Sequence, residues 1–106
     1  MGALGFIEIQ GVVAALAALD EMAKAADVSL VTWERRMGGR LVTLIVTGGV
    51  SAVEAAIEAA CTRGIRVPKA TLVLPRPHPE TMRLVALSAR KMKGVTDHGT
   101  AGIGPG

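Results

Sequence analysis

The sequence predicts one α/β (α+β) domain of the split βαβ type, in which two strand–helix–strand units share a sheet and a further helix follows the last strand. Three observations carry that prediction. Strand-like and helix-like stretches follow in the order strand, helix, strand, strand, helix, strand. The second and third strands meet across RRMGGR, residues 35–40, whose glycines are hairpin chemistry. A length of 106 residues suits a single core.

Each element has its own signal. LGFIEI, Leu4 to Ile9, reads as the first strand, and Gly11 breaks it. In VVAALAALDEMAKAAD, the residues Val12, Leu16, Leu19, Ala23 and Ala26 step by four, three, four and three, the spacing of a helix's buried stripe. Asp20, Lys24 and Asp27 take another face, with Asp20 and Lys24 spaced for an (i, i+4) ion pair, and a solvated face explains all three. Val28–Glu34 and Leu41–Thr47 are β-rich, and the second is apolar almost throughout, as a central strand covered on both faces requires.

A second helix follows in GVSAVEAAIEAACTRG. Ser51 and Glu54 suit a capping box, Val50, Val53, Ile57 and Ala60 form its stripe, and Gly64 is its stop. Ala70–Leu74 is the last strand. PRPHP then forces an extended turn, since each proline also restricts the residue before it. A third helix is expected from Glu80 to about Lys93, its basic end complementing the helix dipole. From Gly94 the glycine-rich tail has nothing to pack and is expected to be disordered.

Composition bounds the function. Half of the chain is apolar, and its mean hydropathy is +0.43. So short and so apolar a chain cannot hide all of that surface alone, and homo-oligomerisation is the first expectation. Net charge is +3, with arginines gathered at positions 35, 36 and 40. The single cysteine, Cys61, excludes an intrachain disulfide and suits a reducing compartment. The amino terminus lacks the features of a signal peptide, and the central uncharged run Leu41–Val53 falls short of the roughly 20 residues that span a bilayer. A cytoplasmic protein with no membrane partner is expected.

An enzyme reading finds little to hold. The two histidines, His78 and His98, lie in the proline-rich turn and the tail, away from any metal-ligand spacing, so neither metal nor cofactor is expected. Cys61 sits in an alanine-rich helix, where a structural thiol is the ordinary case. Gly48-Gly49 lacks the Lys-Ser/Thr of a phosphate-binding loop. The alternative function is a ferredoxin-like RNA-binding module gripping phosphates with the basic turn Arg35–Arg40. Against it, only Phe6 and Trp33 could stack bases.

Four motifs in order carry a resemblance to a known family. GFIEIQG at 5–11 looks like an opening Gly-x-(Ile/Val)-Glu-x-x-Gly, and MAKAADVSLV contains a Lys-Ala-(Asn/Asp)-Val-like stretch. LVTLIVTGGVSAVEAAIEAA is similar to Val-Thr-x-x-Val-x-Gly-Asp-Val, and Pro75-Arg76-Pro77-His78 is Pro-Arg-Pro-His. Together they resemble the hexameric shell proteins of bacterial microcompartments. The resemblance implies a BMC shell domain over residues 4–88, with 89–106 as helix end and flexible C-terminal tail.

It further implies homohexameric discs with a central pore for small polar metabolites. These would tile into a compartment shell with other shell proteins, around encapsulated enzymes. Lys24, Asp27, Arg76 and His78 match hexamer-edge positions. The turn between the second and third strands matches the pore loop, so Met37, Gly38, Gly39 and Arg40 would line the pore, with Arg35 and Arg36 supporting its rim. The family commonly reads Glu-Lys-Ile-Gly-Ser-Gly there. Aligned from Val42-Thr43, Gly38, Gly39 and Arg40 replace the Gly-Ser-Gly; aligned from Glu34, the turn has one additional residue. Gly49 also replaces a usual aspartate.

Overall fold

The computed structural model describes the backbone of residues 2–97 and the side chains of residues 2–87 and 89. Its elements are β1 (Ala3–Gln10), α1 (Val12–Ala25), β2 (Ser29–Arg36), β3 (Leu41–Gly48), α2 (Val50–Arg63), β4 (Ala70–Leu74) and α3 (Pro79–Asp97), with a single 3-10 turn at Met37–Gly39 between β2 and β3. The sheet order is β2-β3-β1-β4 and all three pairings are antiparallel. This is the expected split βαβ arrangement. β1 and β3 pair over their full length, from Ala3↔Gly48 to Gln10↔Leu41, as suits two apolar central strands.

α1 and α2 cover one face. Ile7, Ile9, Val42, Leu44 and Val46 meet Ala14, Ala15, Ala18, Met22, Val53, Ala56, Ile57 and Ala60 in one continuous core. Burying each large aliphatic here contributes about 1.5–3 kcal/mol. α3 covers the other face more thinly, through Val85 on Leu4 and Ile45, flanked by Phe6, Val31, Leu74 and Met82. A bulge between Leu30 and Thr32 adjusts the register so that Trp33 faces Leu44 on the helix-pair side.

The periodicity of α1 located its buried face only in part, since Val12, Leu19 and Ala26 pack against the core but do not form its centre. Ala14, Ala15, Ala18 and Met22 are inside, whereas Leu16 and Ala23 point outward. Size decides this: α1 lies against both the sheet and α2, and alanines permit that approach where leucines would not. In α2, Val53, Ile57 and Ala60 are buried as expected, but Val50 is exposed in the first turn. The expected capping box is absent. The N-cap is Gly49, which has no side chain to cap with, and Ser51 lies inside the helix. α3 continues through Asp97, so residues 94–97 are helical rather than disordered; no proline intervenes to stop the helix there. The remainder of the expected disordered tail, with His98, lies outside the described residues.

Candidate functional site

The register of the sheet divides the candidate residues between its two ends. At one end lie the close of β1, the β2–β3 turn and the start of α1: Gln10 pairs with Leu41, Arg36 pairs with Leu41, and the Gly11 N–H donates to the Arg40 carbonyl at 3.0 Å. At the other lie the start of β1, the close of β3 and the close of β4, joined by Ala3↔Gly48 and Leu4↔Leu74. α1 ends and β2 begins there too, since Ser29 pairs with Thr47. Lys24, Asp27, Arg76 and His78 all belong to this second end.

The turn is tighter than six residues of loop. β2 runs on through Arg35 and Arg36, so only Met37 to Arg40 make the reversal. Three consecutive residues carry positive φ: Met37 at 53°, Gly38 at 67° and Gly39 at 91°. Glycine adopts this region freely, while Met37 does so at a steric cost. The reversal then closes with the Arg40 N–H donating to the Met37 carbonyl at 3.3 Å. Met37 and Gly38 form an exposed tip, whereas a Cβ on Gly39 would come 3.4 Å from Val12 Cγ2. Met37 thus enters the reversal by a left-handed step.

Strand alternation separates two of the arginines. Arg35 lies opposite Val42, on the α1–α2 face, and its Nη1 is 4.0 Å from where a Gly39 Cβ would sit. Arg36 falls on the other face with Glu34, whose Oε1 is 3.7 Å from Arg36 Nη2. Among the described residues, neither Arg35 nor Arg40 has such an ion pair, and both side chains are exposed.

At the opposite end, Lys24 Nζ and Asp20 Oδ2 are 2.8 Å apart, forming the (i, i+4) pair expected from sequence. The hydrogen bond to Asp20, its charge and that of Glu21 raise the Lys24 pKa above the ordinary lysine value. Asp27 and Arg76 are exposed. His78 does more than the sequence reading anticipated. Its Nδ1 accepts the Glu80 backbone N–H at 3.0 Å and its carbonyl accepts that of Met82 at 3.1 Å, so it caps α3. Pro79 at the first helical position and Glu80 in the first turn were the available signal. Glu80 in turn pairs with Arg83.

The residues a base-stacking surface would need are covered. Trp33 is inside the helix-pair core and Phe6 packs beside α3. A shallow groove of about 400 Å³ between α1 and α2 is lined by Lys24, Ala25, Ala55, Glu58, Ala59, Thr62 and Arg63. Among the described residues no group of three or more His, Cys, Asp or Glu could hold a metal ion, and no helix is long and apolar enough to cross a membrane.

The family model of the BMC domain matches residues 3–77. The chain is 45% identical over 85 residues to the bacterial microcompartment shell protein PduA of Citrobacter freundii, covering 78% of this chain and 90% of that one. It is 44% identical over 88 residues to the carboxysome shell protein CsoS1C of Hydrogenovibrio crunogenus, covering 80% and 85%. A crystal structure of a microcompartment protein from Desulfitobacterium hafniense DCB shares the fold, with a TM-score of 0.71 and 24% identity over 83% of this chain. The match spans about half of that longer protein, 48% of its length.

Proposed function

The chain belongs to the BMC domain family, and from that membership we propose that it closes into a cyclic hexamer with Met37–Arg40 around a central pore and Lys24, Asp27, Arg76 and His78 at the rim. The coarser role is a structural one. It is a shell protein of a bacterial microcompartment, not an enzyme, and it works in a shell alongside other shell proteins.

One observation carries the finer reading: the candidate pore turn and the candidate edge residues occupy opposite ends of the same sheet. Eight-residue strands at about 3.3 Å per residue separate the two ends by roughly 23 Å. A wedge-shaped subunit needs this polarity, with a narrow end that converges on an axis and a broad end that meets the next disc. The turn is suited to convergence because its tip is glycine-bearing and exposed.

Three arginines per copy then give the opening a positive field. Arg40 faces solvent beside the tip, Arg35 braces the turn from the α1 side, and Arg36 is partly offset by Glu34. Like charges gathered on a ring repel unless solvated or met by anions, so the opening favours small anionic and polar metabolites over cations. Light scattering on the purified protein is expected to give about six times the 10.9 kDa chain mass. A stable monomer or dimer would overturn the hexamer.

A further inference from the structure

The ring also has to be held together, and a cyclic arrangement needs two different surfaces that fit each other, since every copy meets its neighbours head to tail. We propose that these surfaces are Val13 and Leu16 on α1 of one copy and Ile65 and Val67, in the loop between α2 and β4, of the next; this rests on the ring reading above.

All four side chains are large, apolar and solvent-facing in the isolated chain, at 72%, 51%, 64% and 73% exposure. They also lie at the turn end of the sheet. Val13 and Leu16 occupy the first turns of α1, directly after the Gly11–Arg40 hydrogen bond. The loop from 64 to 69 is pinned to the same end by the Lys69 N–H, which donates to the Glu8 carbonyl at 2.7 Å. Copies converging on an axis through the turn approach each other most closely there.

The two patches sit on opposite flanks. The loop leads into β4, one margin of the sheet. α1 crosses from central β1 toward β2, the other margin, and turns Val13 and Leu16 away from its buried alanines. Their charges are complementary as well. Arg63, Arg66 and Lys69 surround the loop patch, while α1 continues into Asp20, which pairs with Lys24, and Glu21. Of the other exposed leucines, Leu84 and Leu87 belong to α3 on the far face of the sheet, while Leu30 and Leu72 lie on its margin strands, β2 and β4.

Cysteine cross-linking tests the pairing. In a Cys61→Ala background, the Leu16→Cys/Val67→Cys chain treated with a short bismaleimide is expected to give a denaturing-gel ladder that ends at the ring mass. Either single-cysteine chain should give no such ladder. A hexamer by light scattering that yields no ladder would overturn these surfaces and leave the ring standing; a monomer would overturn both. As a second readout, Val67→Asp should raise the concentration of half-assembly by about tenfold or more, as loss of one buried valine implies. Leu84→Asp should leave it unchanged. Equal effects of the two would also overturn the assignment.

Discussion

The two ends of the sheet are built on opposite terms. At the turn end, three left-handed residues, one of them a methionine, are held by one 3.3 Å bond within the turn and one bond to Gly11. At the far end the backbone is ordinary, and side chains do the fastening. The Thr47 hydroxyl donates to the Ala3 carbonyl at 2.9 Å, His78 caps α3, and Asp20 holds Lys24. The contrast teaches where substitution is tolerated. The turn depends on φ values that only a few residues adopt, so backbone chemistry is its weak point. The proposed edge residues Lys24 and Arg76 are exposed and replaceable without unfolding, so their loss should be felt between molecules.

The largest expected effect lies at the edge. Lys24→Ala and Arg76→Ala should leave the hexamer and its melting temperature nearly unchanged, yet form few or no sheets by electron microscopy. Sheets that persist unchanged in both variants would erase the functional half of the comparison. At the turn end, Gly39→Val places a β-branched residue at φ 91° and brings it onto Val12, at a cost of about 1–3 kcal/mol. Urea unfolding checks this, and a midpoint equal to that of the parent would show that the turn is free to relax.

A smaller effect separates the arginines from one another. Arg40→Ala should reduce anion preference in a bilayer-conductance measurement while leaving the hexamer folded. In the parent, that preference should fall as salt brings the screening length toward about 10 Å at 0.1 M. Arg36→Ala should matter less, because Glu34 already offsets that charge. Equal selectivity in parent and Arg40→Ala would assign the turn's charge to bracing alone.

The smallest effect concerns Lys24. Its pKa is raised in the folded chain, so whatever the Asp20 pair contributes is fully present below the unfolded lysine value of about 10.4 and is lost as pH rises through the folded one. Neutral-range pH should therefore leave the pair intact. Asp20→Asn should lower the Lys24 pKa measured by NMR titration, and no change on that substitution would remove the pair from the edge.

Much of the fold was legible because it follows from periodicity and punctuation. The apolar run of β3 announced a central strand, Gly11 and Gly64 fell where helices begin and end, and the glycines of the turn marked the reversal. What misled in α1 was the phase of the stripe, because the four-three spacing through Val12, Leu16, Leu19, Ala23 and Ala26 runs beside the fully buried line rather than along it. That stripe picks Leu16 over Ala14, and the structure does the reverse. Wedged between the sheet and α2, α1 buries Ala14, Ala15 and Ala18 together with Met22, and turns Leu16 outward while Leu19 stays packed on the core. The second α2 error has a similar root: Ser51 and Glu54 have capping spacing, but the helix already begins at Val50, before the serine could cap it.

The sequence by itself determined the element order, the family, and which residues could bear charge at a turn and an edge. Those properties depend on local spacing and side-chain chemistry, which do not need the fold. Only the tertiary structure decided that Arg35 and Arg36 lie on opposite faces, that His78 caps a helix, and that turn and edge stand at opposite ends of the sheet. Each of these depends on pairing between segments far apart in the chain. Ala3 opposite Gly48, and Gly11 bonded to Arg40, are fixed by packing the whole core at once, and no window of neighbouring residues contains them.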